Sequence, residues 1–403
     1  MNNQDPRTPT KWAGGRMGLW LVGAHGSVAT TAVVGLTALS AGLAEPTGLV
    51  TAGKPFADVP LPGPTDIVIG GHDVGGPRVR EKARLLAESG MLPPRLVDAI
   101  ADRLGGVDAE IRALPPVSRG SQETEIELRA ADIREFRERN ELERVVVIDV
   151  ASTEPLPVER PEFHNLQALR AAITETGNEV LPSSSISALA AVDAGAAYAC
   201  FTPSASLSIP SVRQWVSEAS VPIAGQDGKT GETLLRTVLA PMFSARAMRV
   251  HSWAGTNLLG GGDGATLAEP MAVQSKLASK NRGLLSILGT EVATPLHIDN
   301  VPDLGDVKTA WDHVHAEGFL GSRITLQTTW SAYDSMLAAP LVLDLARLLA
   351  LAHVAGERGV VPELGFFFKD PWGSDVHAFA TQSEQLLAWA HDVGARIPYG
   401  RAA

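Results

Sequence analysis

The sequence predicts an α/β fold built on a parallel β-sheet, and two features of the chain support this prediction. Residues 17–22 and, apart from Asp149, residues 145–150 form apolar runs that do not alternate with polar residues. Such runs are typical of parallel strands that are covered by helices on both faces. Residues 17–22 also lead into a glycine-containing turn and then a helix-like segment, which is the opening of a dinucleotide-binding unit.

Two further strand and helix regions follow in the first half of the chain. Residues 67–69 are predicted to form a strand that ends in a second turn at residues 70–73. The charged segment from 77 to 143 is predicted to be helical, with breaks at the proline pairs 93–94 and 115–116.

The second half of the chain continues the alternation of helix and strand. Residues 181–197 and 221–225 continue this alternation, and residues 231–243 have a helical pattern. Residues 324–330 alternate as a strand with one solvent-exposed face, and Pro340 is predicted to begin a long buried helix that ends at residue 355.

The composition is that of a compact globular protein. Of the 403 residues, 45% are apolar and 20% are charged, so the chain can bury a large core, and its length allows two or three domains. Thirty-four Lys and Arg residues stand against 45 Asp and Glu residues, which gives a net charge of −11. This acidic balance argues against nucleic-acid binding, and an anionic substrate would need a local positive pocket.

Cysteine usage and the N-terminal region argue against several further classes of protein. The single cysteine, Cys200, excludes an internal disulfide framework, and the ten histidines show no ligand spacing, so no metal site is expected. Residues 18–39 are fairly apolar but contain His25 and Ser27 and lack a basic leading segment. We therefore expect neither a signal peptide nor a membrane span, and we expect a cytoplasmic protein.

The turn after the first strand is a candidate cofactor site. Gly23 and Gly26 let the backbone approach a pyrophosphate, and the following helix offers its N-terminal amides. The spacing departs from the standard G-x-G-x-x-G, so a plain tight turn is the alternative. Asp73 is the best candidate for a ribose contact, and an acid in that role favours NAD over NADP, whose extra phosphate it would repel.

Two lysines one helical turn apart indicate an anion site. Lys276 and Lys280 share one face of a predicted helix, where paired cations repel unless an anion lies between them. The glycine- and aspartate-rich segments 225–231 and 257–264 lie upstream. We expect these segments and the two lysines to hold a phosphate and a developing oxyanion.

Four more charged residues stand beside predicted turns or strand ends. Asp227 precedes a helix, so it is either a functional acid or a helix cap. Asp263 lies in a dense glycine run, which is either a ligand contact or a mobile loop. Asp334 lies between a strand and a helix and is either an active-site acid or a cap. Lys369 follows an apolar run, and a lysine in that position often points into a crevice.

Together these segments resemble the myo-inositol-1-phosphate synthase family from residue 18 to about residue 371, as a divergent member. No single segment is specific, but the order and spacing of the blocks make chance similarity improbable. The blocks are the N-terminal glycine turn, Gly-Gly-His-Asp at 70–73, Ala-Ser-Thr-Glu at 151–154, Gln-Asp-Gly-Lys-Thr-Gly at 226–231, residues 257–264, the Ser-Lys pairs at 275–280, and Asp-Ser-Met-Leu-Ala-Ala-Pro at 334–340.

The resemblance implies a fold and an assembly. The family has a Rossmann-type NAD-binding domain that is interrupted by a second α/β domain, which carries catalytic residues and builds a homotetramer. Mapped onto this chain, residues 1–225 begin the NAD-binding domain, residues 226–345 form the second domain, and residues 346–403 return to the first.

The resemblance also implies a redox-neutral cyclisation. NAD oxidises C5 of a hexose 6-phosphate, the C6 enolate attacks a carbonyl of the same molecule, and NADH reduces C5 again. Glucose 6-phosphate would give myo-inositol phosphate. By position, the catalytic residues are Lys276, Lys280, Lys369, Asp227, Asp263 and Asp334. The cofactor-binding residues are Gly23, His25, Gly26, Ser27, Asp73, Ala151, Ser152, Thr153 and Asp227. The substrate-binding residues are Lys229, Asn257, Gly262, Lys276 and Lys280.

Departures from the family pattern leave the substrate open. Where many members carry a lysine before the Gly-Asp of the block at 301–306, this chain has Pro302 and Asp299, and Gly261-Gly262 replaces an Asn-Asn pair. Fructose 6-phosphate would close a five-membered cyclitol by the same chemistry. A net sugar-phosphate dehydrogenase and a non-catalytic NAD-binding protein are the remaining alternatives.

Overall fold

The computed structural model describes residues 12–114, 120–260 and 283–397. Their strands form two sheets, one of seven strands and one of four. In chain order the strands are β1 Met17–Val22, β2 Ile67–Asp73, β3 Ile111–Ala113, β4 Arg144–Asp149, β5 Ala197–Cys200, β6 Pro222–Gly225, β7 Arg249–Leu259, β8 Leu296–Asn300, β9 Val307–Glu317, β10 Arg323–Tyr333 and β11 Gly359–Val360.

Helices separate most of these strands. In chain order they are α1 Ser27–Ser40, α2 Val79–Glu88, α3 Pro94–Asp108, α4 Gln122–Arg139, α5 Leu166–Ile173, α6 Ser183–Asp193, α7 Pro210–Ser217, α8 Glu232–Ala245, α9 Asp334–Val354 and α10 Phe379–Arg396. Residues 283–288 are also helical.

The large sheet has the strand order of a Rossmann fold. Its strands lie in the order β3-β2-β1-β4-β5-β6-β11, and every pair is parallel. The order 3-2-1-4-5-6 is that of a dinucleotide-binding sheet, in which ligands bind beyond the carboxyl ends of the strands. The predicted α/β fold with a parallel sheet is therefore confirmed.

Alternate side chains of the central strand β1 enter two separate cores. Leu19 and Leu21 pack with α1, α2, α3, α9 and α10 on one face of the sheet. Trp20 and Val22 pack with α4, α5, α6 and α7 on the other face. Because every residue of β1 is buried, the strand has no polar side, which explains its continuous apolar sequence.

The smaller sheet is mostly antiparallel. Its strands lie in the order β10-β9-β7-β8, where only β7 and β8 run parallel. Helix α8 covers one face, and Phe243 of this helix packs edge-on against Trp253 of β7. On β10, exposed residues alternate with half-buried ones, which confirms the predicted strand with one solvent-exposed face.

Helix α9 connects the small sheet to the core of the large one. It follows β10 directly, and its side chains from Ala338 to Ala352 contribute to the same core as α1. By length and composition α9 could cross a membrane, but 67% of its most apolar stretch is buried in the protein, as in the core helix of a globular fold. The predicted domain boundary at residue 345 falls inside this helix. The division of the chain into domains at that point stays a prediction.

Three element predictions need correction. The segment at 70–73 is strand and not turn, because it pairs with β1 and β3; a Cβ on Gly71 would lie 2.3 Å from the carbonyl oxygen of Leu21, so glycine allows this close pairing. The short strand β3 was missed in a segment predicted as helix. Helix α9 begins at Asp334 and not at Pro340, which lies inside the helix.

Candidate active site

A cavity of about 470 Å³ lies where the carboxyl ends of β1, β4, β5 and β6 meet the small sheet and the start of α9. The large sheet contributes the loops that follow its strands, and the small sheet contributes the end of β7 and the start of β9. The lining residues that sequence reasoning had singled out are Gly26, Ser27, Ala151, Ser152, Thr153, Asp227, Asp334 and Lys369. The structure therefore brings both predicted cofactor residues and predicted catalytic residues to one cavity.

The turn between β1 and α1 is shaped to approach a ligand. Gly23 has φ +82°, and a Cβ there would lie 2.6 Å from Cα of Ala151, so the turn passes directly against the loop after β4. Gly26 caps α1 without a side-chain hydrogen bond, and Gly26, Ser27 and Val28 line the cavity. The first amides of α1 are consequently available for an anion.

Asp73 fixes this turn from the end of β2. Its carboxylate accepts hydrogen bonds from the backbone N–H of His25 at 2.8 Å and of Gly75 at 3.0 Å. Gly23, His25 and Asp73 are absent from the cavity lining. Asp73 thus holds the turn in place, and its position at the end of β2 is also that of the ribose-binding acid in a Rossmann fold.

The loop after β4 is fixed at both of its ends. The backbone N–H of Ala151 donates to Asp149 Oδ1 at 3.1 Å, and burial raises the pKa of Asp149 to about 7. Glu154 accepts from the N–H of Ser184 at the start of α6, while its own N–H donates to Ser204. The intervening residues Ser152 and Thr153 are thereby held at the cavity wall.

Asp227 and Lys369 form a buried ion pair in the cavity. Lys369 Nζ lies 2.7 Å from Asp227 Oδ1, and the backbone N–H of Lys369 donates to the carbonyl of Asp227, also at 2.7 Å. Their side chains are 5% and 7% exposed. The pairing of residues 225–229 with 367–372 by backbone hydrogen bonds places these two groups together, although they are 142 positions apart in the chain.

Asp334 forms a second ion pair at the start of α9. Its carboxylate accepts from Thr230 Oγ1 at 2.7 Å and lies 3.3 Å from Lys308 Nζ. Asp334 and Lys308 both line the cavity. Two carboxylates and two ammonium groups therefore surround the space beside the loops of the large sheet, an arrangement that can hold an anion and move a proton.

Sequence reasoning missed Lys308. A lysine is expected before the Gly-Asp at 305–306, where the chain has Pro302 and Asp299 instead. Lys308 lies two residues after that pair, near the start of β9, and this neighbourhood was the signal that could have identified it. Other lining residues to which the sequence assigned no role include Val28, Lys82, Phe201, Thr202, Pro203 and Val307.

Two predicted substrate residues do not reach the cavity. Lys229 is buried and its ammonium donates to Gln382 of α10, with the rings of Phe366 and Phe379 at 5.9 and 5.8 Å. Asn257 is fully buried within β7 and is absent from the cavity lining. Both were expected to contact the substrate because of the family resemblance; both side chains are buried, and their roles as substrate-binding residues stay predictions.

Four of the predicted residues cannot be placed. Lys276, Lys280, Asp263 and Gly262 lie outside the described residues. Their roles as catalytic or substrate-binding residues stay predictions.

The described part of the cavity fits a dinucleotide. An uncapped helix N-terminus lies at one end, where a pyrophosphate binds in Rossmann folds, and the glycine turn there leaves no room for a Cβ at Gly23. The Asp–Lys pairs line the same space, together with the loop at 151–153. A cofactor in this crevice would meet its substrate at these pairs.

Comparison with known proteins agrees with this geometry. Residues 17–391 match the model of the myo-inositol-1-phosphate synthase family, an NAD-binding family. An inositol-3-phosphate synthase of Bacteroides thetaiotaomicron is 33% identical over an alignment of 411 residues, which covers 94% of this chain and 93% of the bacterial protein. The inositol-3-phosphate synthase of Drosophila melanogaster is 30% identical over 72% of this chain, but the match spans only 54% of the fly protein.

Solved structures show the same fold. The inositol-3-phosphate synthase of Caenorhabditis elegans superposes with a TM-score of 0.82 at 23% identity, over 95% of this chain and 87% of the nematode chain. A myo-inositol-1-phosphate synthase-related protein of Thermotoga maritima superposes with a TM-score of 0.71 at 22% identity, over 93% of this chain and 98% of that chain. These likenesses concern the fold alone.

Proposed function

The chain belongs to the myo-inositol-1-phosphate synthase family of NAD-dependent isomerases, and on this premise we propose that it converts glucose 6-phosphate to myo-inositol phosphate. The observation that carries the proposal is the meeting of two Asp–Lys pairs with a Rossmann cofactor crevice in one cavity. Glucose 6-phosphate is favoured as the substrate because the relatives at 30–33% identity are inositol-3-phosphate synthases.

The cofactor and the protein have separate tasks in this proposal. NAD, when bound, would supply reversible hydride transfer at C5 of the sugar with no net oxidation. The amides at the start of α1 and the loop at 151–153 would hold the dinucleotide. Asp73, through its bonds to the amides of His25 and Gly75, keeps the glycine turn in the shape that this requires.

The Asp–Lys pairs are placed for the carbon–carbon bond-forming step. Oxidation at C5 makes the protons on C6 acidic, and transfer of one of them to a base in the cavity leaves negative charge on an enolate oxygen. Lys369 and Lys308 supply ammonium groups that can donate hydrogen bonds to this oxygen and to the oxygen formed when C6 attacks C1. Asp227 and Asp334 orient the two lysines and can receive a proton from them.

The proposal is tested by the product and by the fate of the cofactor. We expect purified protein with catalytic NAD to convert glucose 6-phosphate to a six-membered cyclitol phosphate, identified by carbon NMR, without lasting NADH absorbance. Fructose 6-phosphate serves as the parallel substrate, and a five-membered product from it alone would replace the proposed substrate. Steady accumulation of NADH would indicate a net dehydrogenase, and no reaction with either sugar would reject the proposal.

We further propose that the protein is a cytoplasmic homotetramer, as the family resemblance implies. One structural feature supports an assembly through the small sheet. Trp311 of β9 is 39% exposed on the face opposite α8, beside the ring of His313. Sedimentation velocity tests this assembly, and Trp311→Ala is expected to weaken it.

A further inference from the structure

Lys82 differs from the other lysines that line the cavity. Lys308 lies 3.3 Å from Asp334, and Lys369 lies 2.7 Å from Asp227. Lys82 also lines the cavity, but within residues 12–114, 120–260 and 283–397 no carboxylate lies within ion-pair distance of its ammonium group. Its charge is therefore not offset by any carboxylate in the part of the chain that the structure describes.

The position of Lys82 places this charge at the cofactor end of the cavity. Lys82 lies in the first half of α2, and it shares the cavity with Ser27 and Val28, the first two residues of α1. The start of α2 is itself fixed, because the carboxylate of Asp108 accepts hydrogen bonds from the N–H of Val79 at 2.7 Å and of the next residue at 3.4 Å. A half-buried lysine on a fixed helix thus faces the same space as an uncapped helix N-terminus.

We propose that Lys82 binds the pyrophosphate of NAD. The amides of α1 supply hydrogen bonds and a partial positive charge, and Lys82 adds a full charge from a second helix, outside the glycine turn. The ribose end of the cofactor is a less suitable partner. Asp73, the candidate for the ribose contact, is absent from the cavity lining, whereas Lys82 lines the cavity together with Ser27. The inference concerns cofactor binding and does not depend on which sugar phosphate reacts.

Ligand binding tests the assignment directly. We expect Lys82→Met to raise the dissociation constant of NAD about tenfold in calorimetry at low salt, the loss of one charge-assisted contact. The difference should shrink at high salt because ions screen the interaction. ADP should lose affinity by the same factor as NAD, and adenosine, followed by NMR, should lose none. Lys82→Arg should retain most of the affinity.

Arg84 provides the matched control. It lies on the same helix, but its side chain is 70% exposed and lies 3.7 Å from Glu88, and it does not line the cavity. Arg84→Met should leave the affinity for NAD unchanged. If Lys82→Met does not fold, Lys82→Gln takes its place, with folding checked by circular dichroism.

Three results would overturn the proposal. The first is wild-type affinity of Lys82→Met for both NAD and ADP. The second is an equal loss of affinity for adenosine and ADP, which would mean that Lys82 acts through packing. The third is a loss confined to NADP, which would assign Lys82 to a phosphate on the ribose.

Discussion

Substitutions of single side chains in the cavity can separate effects on activity from effects on stability. Lys369→Met removes the ammonium group from the buried Asp227 carboxylate. We expect it to lower the free energy of unfolding by about 3 kcal/mol and to reduce turnover by about 10³-fold or more. Chemical denaturation and steady-state kinetics measure the two effects.

The double variant Asp227→Asn/Lys369→Met is the matched control for this prediction. It removes both charges, so we expect it to recover most of the lost stability but none of the activity. Recovery of turnover in the double variant would show that the single variant was inactive only because it was destabilised.

A structural role for Lys229 predicts a measurable pH dependence of the free energy of unfolding. Burial lowers its pKa from 10.5 to about 7, so between these values the unfolded chain binds a proton that the folded chain does not. The ionisation of Lys229 therefore has no effect on stability above the higher value, where the group is neutral in both states, and it destabilises the folded state progressively as the pH falls towards 7. The slope is at most about 1.4 kcal/mol per pH unit.

Lys229→Met should abolish this dependence. We expect the difference in free energy of unfolding, wild type minus variant, to increase from pH 7 to pH 10, and the KM for the sugar phosphate to stay close to the wild-type value. A pH-independent difference together with a large rise in KM would instead support the original prediction that Lys229 binds substrate.

The turn between β1 and α1 can be tested as an element. Gly23 has a left-handed backbone, and a Cβ would lie 2.6 Å from Cα of Ala151. We expect Gly23→Ala to cost about 1–2 kcal/mol in backbone strain and to weaken NAD binding about tenfold or more by displacing the turn. Calorimetry with NAD and thermal unfolding give the two quantities.

Gly35, in the helix that follows the turn, is the control for this change. A Cβ on Gly35 would meet no heavy atom within 4 Å, and the residue lies inside α1. Gly35→Ala should stabilise the protein by about 0.5–1 kcal/mol without altering NAD affinity. Equal behaviour of the two alanine variants would contradict the role assigned to the turn.

The elements of the large sheet were more predictable than the contacts in the site. β1 and β4 could be predicted because continuous apolar runs depend only on local sequence. The Asp227–Lys369 pair could not, because it depends on backbone pairing between distant segments. The burial of Lys229 could not be predicted either, because it depends on Gln382 and on two aromatic rings from the C-terminal part of the chain.

At the scale of the whole molecule, the candidate active site lies between two sheets of different topology. The parallel sheet delivers the loops after its strands, and the small sheet delivers Lys308, while α9 begins at the cavity with Asp334 and continues into the core of the large sheet. A site assembled in this way depends on the relative position of both sheets, which local sequence patterns did not specify.

The central claim is that a hydride leaves C5 of the sugar and returns to the same molecule within this cavity. Glucose 6-phosphate that carries deuterium at C5, incubated with the protein and catalytic unlabelled NAD, tests the claim most directly. We expect the cyclitol phosphate to retain the deuterium on the carbon derived from C5, as measured by NMR and mass spectrometry. A product that has lost this label, or label that accumulates in free NADH, would contradict the account.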